Sequence, residues 1–201
     1  MEIVLATRNS GKVKEFKALL ASLGVTVLSL EDYQWVPEVE EDGSTFKENA
    51  EKKALVVARA TGKIAVADDS GLEVDFLGGA PGVHSARFAG PERDDGANNR
   101  KLLQLMEGVP PEQRSARFCC VVAVGTPEGK VHTAMGTCPG VILQKPAGEG
   151  GFGYDPLFFI PEYGQTFAQL ELNVKNKISH RGKAFALAAN IITQLVNVAE
   201  I

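Results

Sequence analysis

Apolar positions recur along the chain with two different periods, and the switching between them predicts a fold of strands and helices in alternation. Ile3-Val4-Leu5-Ala6 is a short continuous apolar run of the kind a buried strand presents. The polar loop Thr7-Arg8-Asn9-Ser10-Gly11 follows, and from about Lys12 the apolar residues Val13, Phe16, Leu19, Leu20 and Leu23 return at helical spacing. Gly24 supplies a left-handed stop before the strand-like Val25-Thr26-Val27-Leu28, so the chain opens as a β-loop-α-β unit. Thr45 and Glu48 have the spacing of a capping box, which predicts a helix running to about Ala60 and ended by Gly62.

Ile64-Ala65-Val66-Ala67 then reads as a short apolar strand ending in Asp68-Asp69, with Ser70-Gly71 suited to a tight turn and Leu72 to Leu77 extended. Gly78-Gly79-Ala80-Pro81-Gly82 marks further turns. A helix around Ala97 to Met106 precedes a hairpin-like pair, Arg117 to Val124 and Lys130 to Thr137, joined by Thr126-Pro127-Glu128-Gly129. Val141-Ile142-Leu143 reads as another strand. A glycine-rich approach, Gly148 to Gly153, leads to Tyr154-Asp155-Pro156, and the apolar run Leu157 to Ile160 stops at Pro161. Ala184, Leu187, Ala188, Ile191, Leu195 and Val198 form the stripe of a last helix from about Arg181 to Val198. Strands that come both with intervening helices and as a hairpin predict a mixed sheet in an α/β fold.

Composition narrows the function classes. With 201 residues, 44% hydrophobic and 23% charged, the chain can bury a core as one domain or two fused lobes. The 25 acidic and 21 basic residues argue against a duplex-binding protein that relies on a broadly positive face, although a small anionic ligand needs only a local basic pocket. Met1-Glu2 leads straight into the first apolar run without a signal-peptide pattern, and no stretch approaches the roughly 20 apolar residues that span a bilayer. Cys119, Cys120 and Cys138 are odd in number and lack metal-type spacing, which fits reduced cytoplasm and burial as small apolar side chains.

Five constellations can carry chemistry. Thr7, Asn9 and Lys12 bring a hydroxyl, an amide and an ammonium to a turn that opens a helix, where exposed N–H groups attract phosphate. The alternative is a polar turn with a solvated lysine. Lys53 shares a helix face with Phe46, Ala50, Ala54 and Val57, so its ammonium either snorkels outward or meets a ligand. Glu41, Asp68 and Asp69 form an acidic trio that suits Mg²⁺, which takes one or two carboxylates together with phosphates and waters. Asp69 is the first choice for a base that deprotonates water, and the competing reading is that both aspartates cap a turn. Phe152-Gly153-Tyr154-Asp155 offers base stacking and edge recognition, or two core aromatics around a turn. Lys175 and Ser179-His180-Arg181-Gly182 place donors near the start of the final helix, within reach of a purine carbonyl.

In order, Ala6-Thr7-Arg8-Asn9-Ser10-Gly11-Lys12, Glu41-Asp42-Gly43-Ser44-Thr45-Phe46, Ala67-Asp68-Asp69-Ser70-Gly71-Leu72, Gly78-Gly79-Ala80-Pro81-Gly82, Gly150 to Pro156 and Ile178 to Gly182 closely resemble the motifs of the inosine triphosphate pyrophosphatase family. The resemblance covers nearly the whole chain. It implies an elongated mixed β-sheet flanked by helices, one domain of two lobes with a central cleft, and a homodimer. It further implies Mg²⁺-dependent hydrolysis of ITP, dITP and XTP to the monophosphate and pyrophosphate. On the matching positions, Thr7, Asn9, Lys12 and Lys53 would hold the triphosphate, and Arg8, Ser10 and Gly11 of the same loop would also bind substrate. Glu41 and Asp69 would bind the metal, with Asp68 beside them and Asp69 accepting the proton. Ser70 would touch substrate, Phe152 would stack on the base, and Gly153, Tyr154, Asp155, Lys175, His180 and Arg181 would shape the base pocket. Tyr154 stands where some relatives have tryptophan. Rival readings are a non-catalytic nucleotide sensor, a pyrophosphatase for modified pyrimidine nucleotides, and a single-stranded nucleic-acid binder using Phe152 and Tyr154, which the acidic net charge disfavours.

Overall fold

The computed structural model describes residues 2–21 and 24–198. Seven strands form one sheet in the order β2-β1-β3-β4-β5-β6-β7. They are β1 (Glu2–Leu5), β2 (Thr26–Ser29), β3 (Ile64–Val74), β4 (Ser115–Gly125), β5 (Val131–Ile142), β6 (Phe158–Ile160) and β7 (Gln165–Thr166). The helices are α1 (Ser10–Leu20), α2 (Phe46–Thr61), α3 (Asp95–Leu105), α4 (Leu172–Ile178) and α5 (His180–Val198). β1 runs parallel to both β2 and β3, with Ile3 opposite Val27 on one side and Ile64 on the other. β6 is antiparallel to β5 and to β7, so the sheet is mixed as the connection lengths predict.

Two compact units emerge among the described residues. One gathers those of Met1–Asp69, Cys120–Gly136 and Arg181–Ile201, and the other those of Ser70–Cys119 and Thr137–His180. Each has its own apolar core. In the first, Ile3, Leu5 and Val66 of the parallel strands pack with Phe16 and Leu20 of α1 and with Phe185, Ala188 and Ile192 of α5. In the second, Leu72, Leu102, Met106, Phe118, Tyr154, Phe158 and Phe167 form the cluster. Arg114 is buried in this second unit, and its guanidinium donates to the carbonyls of Met106, Val109, Ile142 and Leu143. A cation at the Met106 carbonyl, which caps α3, satisfies a group the helix leaves open and opposes its terminal dipole.

The local signals for α2 hold in detail. Thr45 accepts from the Glu48 N–H, Glu48 reaches back to the cap, and Gly62 closes the helix at φ +66°. Other expectations change. Asp68-Asp69 do not end a strand, and Ser70-Gly71 make no turn, because β3 continues unbroken from Ile64 to Val74. Its first residues pair with β1, and neighbouring β4 extends the ladder on its other side, so nothing forces the chain to bend. Val141 and Ile142 finish β5 rather than forming a strand of their own. Lys175 lies on the separate helix α4, because Ser179 adopts extended dihedrals and interrupts the helical path before α5. Short β7 and α4 have too few residues to establish a period of their own. On α5 the expected Ala184 and Ala188 are buried, and Ile191 and Leu195 pack against the same core. Leu187 is exposed, while Phe185 and Ile192 are buried. Position 23 and the side chains of Leu19 and Val198 lie outside the described residues.

Candidate functional site

The first unit gathers the phosphate-like loop and the acidic step. Asn9 caps α1 by accepting from the Lys12 N–H at 3.0 Å, and the Thr7 hydroxyl accepts from the Asn9 N–H at 3.1 Å. Ser10, Gly11 and Lys12 thereby form the first turn of a helix, the position where backbone N–H groups lack intrahelical acceptors. Arg8 donates to the Val36 carbonyl at 2.6 Å and so ties this loop to the segment after β2.

Adjacent residues of an extended strand project to opposite faces, and that separates the two aspartates. Asp68 is buried against cations. Lys12 Nζ lies 2.9 Å from one carboxylate oxygen and Arg181 Nε 3.5 Å from the same oxygen. Arg181 Nη1 also lies 3.3 Å from Glu15. Burial by itself would raise the Asp68 carboxyl, but the charges of Lys12, Arg181 and Lys53 outweigh it and hold the group well below the usual carboxylate range. The Asp68 side chain is thus committed to protein cations and stands apart from Glu41 and Asp69.

Asp69 has other company. Its Oδ2 accepts from Asn49 Nδ2 at 2.9 Å, and its Oδ1 lies 3.9 Å from Lys53 Nζ. Lys53 also donates to the Glu41 carboxylate and, at 2.6 Å, to the Asp68 backbone carbonyl. Burial pushes the Lys53 ammonium down, yet the carboxylates of Asp68, Asp69 and Glu41 more than offset this and hold it above its ordinary value. Asp69 is pushed the other way from Asp68. Burial raises its carboxyl and Glu41 adds to the rise, against the opposing pull of Lys53. Glu41, Asp69 and the Asp68 carbonyl gather oxygen donors about the Lys53 ammonium, and oxygen donors are the chemistry Mg²⁺ takes. Among the described residues no group of three or more acidic, His or Cys side chains forms a closed metal cage. Two carboxylates are compatible with a cation that retains waters and takes phosphate oxygens.

The second unit holds the aromatic and basic residues. Gly151 turns at φ +74°, and a Cβ there would stand 2.0 Å from Asp155 Oδ2, so only glycine allows this approach. Asp155 accepts from the Phe152 N–H at 2.9 Å and from Lys175 Nζ at 2.7 Å. The same ammonium lies 5.1 Å from the centroid of the half-buried Phe152 ring, within cation–π range. A flat apolar face thus stands beside a buried donor and acceptor. Tyr154 is a core residue whose hydroxyl donates to the Ser85 carbonyl at 2.9 Å. Gly153 is pinned from both ends, its N–H to Asp95 at 2.7 Å and its carbonyl to Asn99 at 2.8 Å. His180 is buried and stacks on Phe118 with ring centroids 4.6 Å apart. Ser70 is half-buried on β3, at the point where the second unit begins.

Sequence reasoning overlooked Asn49, Glu15, Asp95 and Asn99. Asn49 had a usable signal, since it lies one turn before Lys53 on the same buried helix face. Glu15, Asp95 and Asn99 acquire partners only through folding.

This fold recurs in solved structures. The chain is similar to the Ham1 protein of Staphylococcus aureus, at TM-score 0.85 and 41% identity over 96% of this chain and 98% of that one. A HAM1 protein from Coxiella burnetii aligns at TM-score 0.88 and 41% identity, covering 96% and 99%. The Ham1 family matches residues 3–191, and the chain belongs to it. It is 60% identical to the dITP/XTP pyrophosphatase of Desulforamulus reducens over 97% of each chain. It is 57% identical to the dITP/XTP pyrophosphatase of Geobacter sulfurreducens over 92% of this chain and 93% of that one.

Proposed function

We propose that the chain hydrolyses non-standard purine nucleoside triphosphates, ITP, dITP and XTP, to the nucleoside monophosphate and pyrophosphate, with Mg²⁺ as cofactor. The observation that carries this reading is the cation position in the first unit, where Glu41, Asp69 and the Asp68 carbonyl surround the Lys53 ammonium. The names of the two relatives, at 60% and 57% identity, support the same substrate class.

Glu41 and Asp69 would hold the metal, which would neutralise phosphate charge and polarise the phosphoryl group under attack. The protein's own groups do the rest. The N-terminal turn of α1, with Thr7, Asn9, Ser10, Gly11 and Lys12, receives phosphate oxygens, and Lys53 adds a second ammonium. Asp68 keeps Lys12 and Arg181 oriented. Asp69 accepts a proton from water as the water oxygen bonds to the α-phosphorus. The bond from that phosphorus to the α,β-bridging oxygen breaks, and pyrophosphate leaves with the electron pair.

In the second unit Phe152 offers a stacking face, Lys175 a donor and Asp155 an acceptor. A 6-oxo purine presents a carbonyl acceptor next to an N1–H donor and matches that pair, whereas adenine presents the reverse pattern and offers neither group a complementary partner. Guanine shares the 6-oxo edge. We read the two units as one catalytic domain, acting as a homodimer in the cytoplasm. Free thiols at all three cysteines support a reducing compartment. Among the described residues no helix is long and apolar enough to cross a membrane.

Purified protein incubated with ITP, XTP, dITP, ATP, GTP and modified pyrimidine triphosphates plus Mg²⁺ tests the reading. Pyrophosphate and monophosphate from the first three are expected. Release of orthophosphate alone overturns the bond assignment, and binding without turnover favours a sensor. Asp69→Asn should retain nucleotide affinity and lose turnover by roughly 10²-fold or more, the usual worth of a general base. Near-normal rates would move the base to Asp68 or Glu41.

A further inference from the structure

Asn49 is buried on α2 and satisfied at both ends. Its Oδ1 accepts from the Gly43 backbone N–H at 2.8 Å, and its Nδ2 donates to Asp69 Oδ2 at 2.9 Å. The Gly43 N–H can only donate, so the amide oxygen must face the loop and the amide nitrogen must face Asp69. A reversed amide would lose both bonds and leave a buried donor and acceptor unpaired.

The close approach of the loop depends on the absence of a side chain. A Cβ on Gly43 would lie 2.7 Å from Asn49 Oδ1 and 2.9 Å from Glu48 Cβ, both on helix residues held by packing and capping. Glu41 is two residues before Gly43 in this same segment. One rigid amide therefore grips the loop that carries Glu41 and the strand carboxylate of Asp69.

We propose that Asn49 is the positioning residue of the cation site, holding the Asp69 rotamer and the Glu41 loop at the separation a divalent ion requires. This rests on the pyrophosphatase reading and adds to it a group that touches neither substrate nor metal. Its bond to Oδ2 directs the carboxylate so that Oδ1 lies on the side of Lys53 and Glu41. Partners behind metal ligands typically contribute about 10–100-fold in metal affinity or activity.

Three variants test this: Asn49→Ala, Gly43→Ala and the double variant. Mn²⁺ binding to the nucleotide-free protein is read by electron paramagnetic resonance, and ITP hydrolysis is measured at saturating Mg²⁺. Asn49→Ala should weaken Mn²⁺ binding and lower kcat by about 10–100-fold each. KM for ITP should change by less than about threefold, because the residues receiving phosphate and base are untouched. Gly43→Ala should act in the same direction through the displaced amide, and the double variant should lose less than the product of the two single losses because both disturb the Gly43–Asn49 contact. Wild-type turnover together with unaltered Mn²⁺ affinity and kcat in Asn49→Ala would overturn the positioning role alone. A loss confined to the unfolding midpoint would overturn it as well, leaving a purely structural contact. Wild-type protein that neither binds Mn²⁺ nor hydrolyses ITP would overturn the pyrophosphatase reading and the proposal with it.

Discussion

Replacing Asp68 with asparagine keeps the shape of the side chain and removes a buried carboxylate that faces three cations. Lys12 approaches it to 2.9 Å and Arg181 to 3.5 Å, and Lys53 lies close enough to lower its proton affinity. Removing one member of a buried ion pair typically costs about 3–5 kcal/mol, because the partner charges stay buried without compensation. The Lys12 side chain is 17% exposed and retains some access to water, which places the expectation near the lower limit, about 3 kcal/mol. For a chain of this size that corresponds to a fall of about 6–12 °C in melting temperature. The pH dependence has a definite sign. A carboxyl held below its unfolded value stabilises the fold at pH above about 4 and loses that contribution as the pH falls through its folded value. The gap between wild type and Asp68→Asn should therefore be widest near neutral pH and narrow in acid. Pyrophosphate, which brings negative charge to the same cations, should raise the melting temperature of the variant more than that of wild type. Thermal and urea unfolding between pH 3 and 8, with and without pyrophosphate, measure all three effects. A neutral-pH difference below about 0.5 kcal/mol, or one that persists unchanged at pH 3, would refute the assignment of Asp68 as the counter-charge of this cluster.

Other substitutions probe the second unit. Gly151→Ala forces a Cβ onto Asp155 Oδ2 and places a side chain at φ +74°, so KM for ITP should rise at least tenfold with kcat less affected; an unchanged KM would refute the tight approach. Lys175→Gln leaves Asp155 without its ammonium partner at 2.7 Å and should reduce the kcat/KM preference for ITP over ATP; equal losses for both nucleotides would show that Lys175 does not read the base edge. Cys119 is buried and its thiol pushed up to about 11, first by burial and then by Glu73, so alkylation should be slow at pH 8 and rise with pH. Glu73→Gln should speed that labelling, and a pH-independent rate would contradict the assigned cause.

Much of this architecture was legible in the residue pattern because its determinants are local. The capping box at Thr45 and Glu48, the glycine stop at Gly62 and the apolar run into Asp68 need only near neighbours in sequence. The motif order likewise marked Thr7 to Lys12, Glu41, Asp69 and Phe152 to Asp155 before any contact was known. Two elements escaped notice because β7 has two residues and α4 seven, too short to develop a period. The expected turn at Ser70-Gly71 failed because turn propensity is a weak local bias, and continued pairing along the sheet overrides it.

What tertiary structure alone decided is the surroundings of each carboxylate in the acidic step, Asp68 and Asp69. The residue pattern favoured Asp69 as the base without showing what either side chain meets. Strand pleating sends them to different surroundings, where Lys12 and Arg181 claim the first, while Asn49 and Lys53 meet the second. Arg181 follows Asp68 by 113 positions and Asn49 precedes Asp69 by 20, so no local pattern encodes either pairing. The side-chain chemistry was fixed by the chain, but the proton affinity of each carboxyl was set by the charges that folding brought to it.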